Sequence, residues 1–452
     1  MLDCTRPAIE QYHRLMEADL ESASAQVEEL LYKQHERGVL FGGRPLAGSL
    51  RPVIMSESMY NTIQDTVYIL RQAILKLSKA FFNERRTLDE LGLTEEEIEL
   101  AAIPTNIIRM SATARMDAFM TNRSFKFVEL NAESPAGIAY VHELAKIYRE
   151  LPIFREYEKT VPIRFVSPLV HIVAGLLRIY YEEFDGKEEM PAFAIVDHLD
   201  VPTYQEFVLF KNYMERQGYV CEISDPRNLE VRDGWVYANG RKIDILYRRL
   251  LMNEYMEMRH ECGAYTEGYI AQKTCYLNSF RSKLVHKKAL FSLLTDPVYS
   301  YILDIPELHA IQRHIPWTRR LRDQRTTYDG KSVDMVPMIR SNREKFVIKP
   351  NDEYGGSGVT LGFETEQGTW DAAISDGLQK GHVVQEVVEI SREPFLVQKA
   401  DRSWDYNSTV IDLDPYLNGP LMGGCLTRTS TSNLANVTAG GGTLPLFIAR
   451  YL

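Results

Sequence analysis

The chain has 452 residues, 45% of them hydrophobic and 25% charged, an ordinary composition for a soluble globular protein with room for two or three cores. A formal net charge of −10 excludes a general nucleic-acid binder, because affinity for a phosphate backbone needs clustered positive charge. The cysteines (Cys4, Cys221, Cys262, Cys275 and Cys425) are far apart and odd in number, so they read as free thiols in a reducing cytosol.

The opening MLDCTRPAIE is charged and lacks an apolar run, so no signal peptide is expected there. No stretch approaches the roughly 18–20 apolar residues of a membrane span, and a cytoplasmic location is expected. From Pro7 to Gln34 apolar residues recur at helical spacing and Gly38 closes the pattern, which predicts one long helix. The segment GVLFGGRPLAGSLRP then breaks the helix and places Arg44 and Arg51 in loops. Tyr60, Ile63, Val67, Leu70, Ile74, Leu77 and Phe81 alternate three and four apart, the seam of a buried helix from Met59 to Phe82. Thr94 with Glu97 forms a capping box for a short helix ending before Pro104. Residues 1–105 thus read as a helical N-terminal region.

Ile107–Met120 and Phe125–Asn131 flank the turn-like TNRS and read as antiparallel strands. Ala192–Asp197, a helix over Tyr204–Gln217 and Tyr219–Ser224 make a βαβ-like unit, and Ile243–Tyr247 adds a strand ending at Arg248 and Arg249. Those two arginines suit either an anionic substrate or structural ion pairs. No GxGxxG follows the first of these strands, so a Rossmann-like domain without a nicotinamide cofactor is expected. Helical patterning resumes over Lys283–Leu294, and the last third is strand-rich. Its apolar PLFIARYL reads as a strand or a docked segment.

Four segments carry chemistry. In FVIKPNDEYGGSGVTLG a strand delivers Lys349, and Gly355, Gly356, Ser357 and Gly358 follow before a second strand. Glycines let backbone N–H groups approach anionic oxygens, and the lysine supplies a point charge for the same phosphates. The lysine precedes the glycines, the reverse of a Walker loop, so a P-loop NTPase is excluded. In RMDAFMTNRSFKFVELNAESPAG the period of two puts Glu129 and Asn131 on one strand face, with Arg115 and Asp117 nearby across the hairpin. Such oxygen donors suit Mg²⁺, which shares its shell with substrate phosphates. In GHVVQEVVEI a strand edge could bind adenine through its backbone. LMGGCLTRTSTSNLANVTAGGGTLPLF sets Arg428 on a strand before a polar loop with Asn436 and the glycines Gly440 to Gly442. Each segment alone also fits an ordinary turn, strand or charged hairpin.

Together and in this order, the four segments resemble the circularly permuted ATP-grasp proteins, among them the synthetase domain of glutathionylspermidine synthetase and eukaryotic-type glutathione synthetase. The resemblance implies an α/β (mixed α+β) fold: a permuted ATP-grasp fold with a central Rossmann-like domain behind the helical N-terminal region. Its expected parts are residues 106–165 with the metal-binding hairpin, 166–280 as the Rossmann-like substrate domain, and 281–452 as the main ATP-grasp region. Position by position it implies that Lys349 and Lys288 contact ATP phosphates, with adjacent Lys287 leaving that register open. Gly355, Gly356, Ser357 and Gly358 would cover the phosphates, and Gln385, Glu386, Val387 and Val388 would hold adenine. Asp117, Glu129, Asn131 and Glu353 would ligate Mg²⁺, and Arg115, Arg428 and Lys349 would be catalytic. No thiol-peptide pocket of these relatives can be traced.

The implied reaction is ATP-dependent ligation of a small-molecule carboxylate to an amine through an acylphosphate, releasing ADP and phosphate. A phosphotransferase and a non-catalytic nucleotide-binding scaffold are the competing readings. The partners expected are the two substrates and a second copy of the chain in a homodimer, with neither nucleic acid nor membrane.

Overall fold

In the computed structural model, which describes residues 5–121, 124–353, 355–419, 421–433 and 441–450, Asp19 divides the first predicted helix in two. Helix α1 spans Arg6–Ala18 and α2 spans Leu20–Arg37. Asp19 leaves helical geometry (φ −151°, ψ 83°), and its carboxylate accepts the Ser22 N–H at 2.9 Å. A short acidic side chain offers the backbone that alternative, which apolar spacing does not register. Gly38 ends α2 with a φ of +69°. Strand β1, Val53–Ser56, is wholly buried, and Ser56 caps α3, Glu57–Phe81, whose predicted seam faces the core throughout. After α4 (Arg85–Leu91), the Thr94–Glu97 capping box opens α5, Glu95–Ala102.

The hairpin of β2 (Thr113–Met120) and β3 (Phe125–Asn131) is antiparallel, as predicted, but β2 starts six residues later than expected, at Thr113 rather than Ile107. The Ala112 and Thr113 N–H groups donate to Asn278 Oδ1 instead of to a neighbouring strand. Asn122 and Arg123 of the expected turn lie outside the described residues. Beyond α6 (Ile138–Glu150) come β4 (Phe193–Val196), α7 (Tyr204–Arg216), β5 (Cys221–Ser224), β6 (Ile245–Arg248) and β7 (Cys275–Leu277). The four strands form a parallel sheet in the order β7-β6-β4-β5. Its terminal arginines point into protein. Arg248 is fully buried, donating to Glu133 Oε1 at 3.0 Å, while Arg249 donates to Pro135 O at 2.7 Å and pairs with Glu206 at 3.4 Å. The structure assigns both to interior ion pairs.

The helix predicted over Lys283–Leu294 is two short helices, α8 (Lys283–His286) and α9 (Leu290–Thr295). At the break, Lys288 N–H donates to Asn351 O at 3.0 Å and Ala289 N–H to Asn351 Oδ1 at 2.9 Å. A distant loop thereby takes two donors from the helix ladder. Next come β8 (Thr318–Arg320), β9 (Phe346–Lys349), β10 (Thr360–Leu361), α10 (Gln367–Lys380) and β11 (Val383–Glu386). They build an antiparallel sheet in the order β8-β11-β9-β10, backed by Trp370 and Ile374 of α10.

The last strands are β12 (Arg392–Gln398), β13 (Trp404–Asn418), β14 (Leu421–Ser430), β15 (Gly442–Thr443) and β16 (Leu446–Ala449). The order β15-β14-β13-β2-β3 joins them to the early hairpin, with β12 on the first half of β13. Strand β16 is the predicted apolar segment, buried beside β1 in parallel and beside Ile163–Arg164 in antiparallel sense. Among the described residues no helix is long and apolar enough to cross a membrane. Cys221, Cys262, Cys275 and Cys425 are free and buried, and Cys4 lies outside the described residues.

Candidate functional site

The β8-β11-β9-β10 sheet and the hairpin sheet face each other across a cleft of about 130 Å³. Lys349 stands at the end of β9, and the chain leaves it as Pro350–Glu353 before turning back into β10. The turn requires glycine: Gly355, Gly356 and Gly358 have φ of +65°, +75° and +68°, where a Cβ is strained. At Gly358 a Cβ would also stand 2.7 Å from Pro350 Cγ.

Most of the predicted residues share this one cleft. Asp117, Glu129, Lys288, Lys349, Glu353, Gly355, Gly356, Ser357, Gln385, Glu386, Val387, Val388 and Arg428 all line it. Arg115, Asn131 and Gly358 stand directly behind, bonded to or packed on lining residues. Asn436 and Gly440 lie outside the described residues, and Gly442 pairs with Thr429. A wider depression of about 860 Å³ on the helix Gly263–Ala271 has neither a glycine turn nor converging lysines.

Strand β3 carries a bulge. Glu129 pairs with Asp117 and Phe127 with Ala118, so Val128 is the extra residue. Its carbonyl accepts the Gln385 Nε2–H at 3.3 Å, Gln385 Nε2 also donates to Thr318 Oγ1 at 3.0 Å, and Gln385 Oε1 accepts from Lys349 Nζ at 2.8 Å. One buried amide therefore ties the two sheets together and orients the lysine. Burial pushes the Lys349 ammonium down to about 8, with Glu129 opposing the fall and Lys288 adding to it.

The neighbouring lysines separate cleanly. Lys288 Nζ lies 3.3 Å from Glu129 Oε2 and donates to the Glu353 carbonyl, whereas Lys287 turns away to Glu97 at 2.7 Å. Lys288 is the one that faces the cleft. Burial opposes ionisation of Glu129, but Lys288, Lys349 and Arg428 outweigh it and hold the carboxyl far below the usual range. Where the chain leaves β11, Glu386 N–H donates to Trp317 O and Val387 N–H to Lys345 O, both at 2.8 Å, and Tyr328 O–H donates to Glu386 Oε1 at 3.0 Å.

The cleft floor holds a layer of buried ions that the motifs only half described. Arg115 grips Asp117 with two 2.7 Å hydrogen bonds and donates to Ala136 O at 3.1 Å. Arg428 Nη2 donates at 2.8 Å to Asp117 Oδ2, the oxygen that also accepts from Arg115 Nη2, and to Asp412, while its Nε lies 3.1 Å from Asp414 Oδ2. Asp412 and Asp414 were not foreseen. Their signal was legible in VIDLDPYL, where two acids at alternate positions of an apolar strand must share one face. Burial pushes both carboxyls up, Asp414 the further.

For a divalent ion, Glu129 and Asn131 offer a carboxylate and an amide oxygen one strand period apart beside Lys288 and Lys349, with exposed Glu353 on the opposite wall. That set fits Mg²⁺, which takes few protein ligands when phosphates complete its shell. Both Asp117 oxygens are engaged by the arginines. Among the described residues no cluster of three or more His, Cys, Asp or Glu side chains is placed to hold a metal by itself.

No family model matches the chain. An uncharacterised protein of Mycobacterium tuberculosis (strain ATCC 25618 / H37Rv) is 23% identical over 361 residues, 75% of this chain. The match covers about 60% of that relative's length. An uncharacterised protein of Mycobacterium leprae is 21% identical over 465 residues, covering 95% of this chain and 78% of its own. Among solved structures, an apo glutathione synthetase-like effector from Globodera pallida superposes with a TM-score of 0.60 over 94% of this chain and 96% of its own, at 11% identity. The chain therefore has the mixed α/β fold of a glutathione synthetase-like protein.

Proposed function

We propose that the protein is an ATP-dependent carboxylate–amine ligase. The observation that carries the reading is convergence: Lys288, Lys349 with its glycine turn, and Glu129, drawn from three separate parts of the chain, meet in one cleft. Phosphoryl transfer requires neutralisation of charge on the transferring group, and the two lysines and the backbone N–H groups of the turn are suited to it. Glu129 and Asn131, with Glu353 opposite, would hold Mg²⁺, which when bound would neutralise phosphate charge and orient the chain of phosphates. Asp117 would act from behind them, fixing Arg115 and Arg428. A substrate carboxylate attacks the γ-phosphate, giving an acylphosphate and ADP. An amine then displaces phosphate and forms the amide. Val387 and Val388 would cover adenine, and the acid and amine would enter from the Arg428 end.

The decisive assay incubates the protein with MgATP and pooled amino acids, small peptides and polyamines. ADP and phosphate are expected to accumulate only when acid and amine are both present, and AMP with pyrophosphate would overturn the acylphosphate scheme. The depressed Lys349 adds a pH dependence. Its ammonium is the phosphate-binding form and is lost as pH rises through about 8. The kcat/KM for ATP, which reports the free enzyme, is therefore expected to fall above that pH in a profile of ADP release.

A further inference from the structure

The segment between Lys349 and the glycine turn carries two side chains that face away from the cleft. Asn351 Nδ2 donates to Leu91 O at 2.8 Å, and its own oxygens receive the backbone N–H groups of Lys288 and Ala289. Asp352 accepts from Lys283 Nζ at 2.8 Å and from Lys287 Nζ at 2.7 Å. Each lysine is then gripped from its far side: Lys283 by Glu133 at 3.1 Å, Lys287 by Glu97 at 2.7 Å. Glu133 is itself held by Arg248, so three acids face three bases in a layer where Lys283, Glu97 and Glu133 are at most 2% exposed.

We propose that Asp352 is a positioning residue that latches the phosphate-loop segment, through Lys283 and Lys287, to the layer where α5, the end of the β3 hairpin and the start of the α8–α9 segment that bears Lys288 already meet. The inference rests on the nucleotide reading for its purpose, though not for its geometry. A buried ion network is a poor way to gain stability, since well-packed apolar groups do as well or better. Its value here is location. Glu133 lies two residues beyond Asn131, and Lys287 precedes Lys288, so the same charges that seat the loop also seat the proposed metal hairpin and the second phosphate lysine. The groups that must converge on the phosphates are thus held in place before the nucleotide arrives, which lowers the ordering cost of binding.

The test uses Asp352→Asn, which keeps the shape and removes the charge, and Glu97→Gln, which loosens the far anchor of Lys287 from outside the cleft. Hydrogen exchange over residues 355–359 of the nucleotide-free protein is compared with exchange in α3, and binding of ADP and of a non-hydrolysable ATP analogue is measured with Mg²⁺. The expected result is loop exchange faster by about tenfold or more in Asp352→Asn, a smaller rise in Glu97→Gln, α3 unchanged, and nucleotide affinity reduced by a similar factor. Unchanged loop exchange in both variants overturns the latch. So does an equal rise in α3, which would mark the network as general stabilisation. If loop exchange rises selectively while even the wild-type protein binds neither nucleotide, the latch stands and the nucleotide reading of the cleft falls.

Discussion

Lys349→Met is expected to lower ATP turnover by about 10²–10³-fold, the usual loss when one preorganised group facing developing charge is removed. Thermal unfolding should move little. The substitution takes away the Lys349–Gln385 hydrogen bond, but it also relieves a buried ammonium that its surroundings already drive toward neutrality. Methionine keeps the length and most of the volume of the lysine stem. ADP release and scanning calorimetry on the same preparation check the two halves. Wild-type turnover in a folded Lys349→Met protein would remove the lysine from the mechanism, and with it the main support for a phosphate site.

Arg115→Ala has the opposite profile, a cost of about 3–5 kcal/mol in stability, because it breaks a buried ion pair from one side. Asp117 would keep only its contact with Arg428, Ala136 O would lose the Arg115 donor, and Asp414 would lose a cation 3.9 Å away. The double substitution Arg115→Met with Asp117→Leu should recover most of that loss, since no uncompensated charge remains at the pair. Urea unfolding of the single and double variants completes the cycle. A cost below about 1 kcal/mol for Arg115→Ala would mean that the ion layer under the cleft contributes little to the fold.

Local chemistry was legible in the sequence wherever a motif's partners are its own neighbours. The capping box at Thr94, the α3 seam, the strand pair around the glycine turn and the hairpin bearing Glu129 all follow from spacing and turn residues within one segment. What escaped depends on partners far along the chain. The split between α8 and α9 is imposed by Asn351, and no periodicity over Lys283–Leu294 contains that information. The same distant loop decides that Lys288 rather than Lys287 faces the cleft, because Asp352 and Glu97 claim the latter. Asp412 and Asp414 were visible as an alternating pair, but their meaning depends on β13 lying between β2 and β14, a topology set by the whole chain. At Asp19 the miss was purely local: apolar spacing continued through a residue whose side chain prefers to cap.

The pairing of β1 with β16 sets a timetable for the newborn chain. Val53 lies beside Leu446, so β1 must wait for a strand made far later in the chain. At ordinary synthesis rates that wait is on the order of tens of seconds, during which β1 and the apolar flank of α3 lack their cover. Contacts so distant in sequence also slow the final folding step. The amino-terminal helices are therefore expected to associate with holding chaperones on the ribosome, and fragments stopped before Leu446 to remain protease-sensitive around Val53–Ser56.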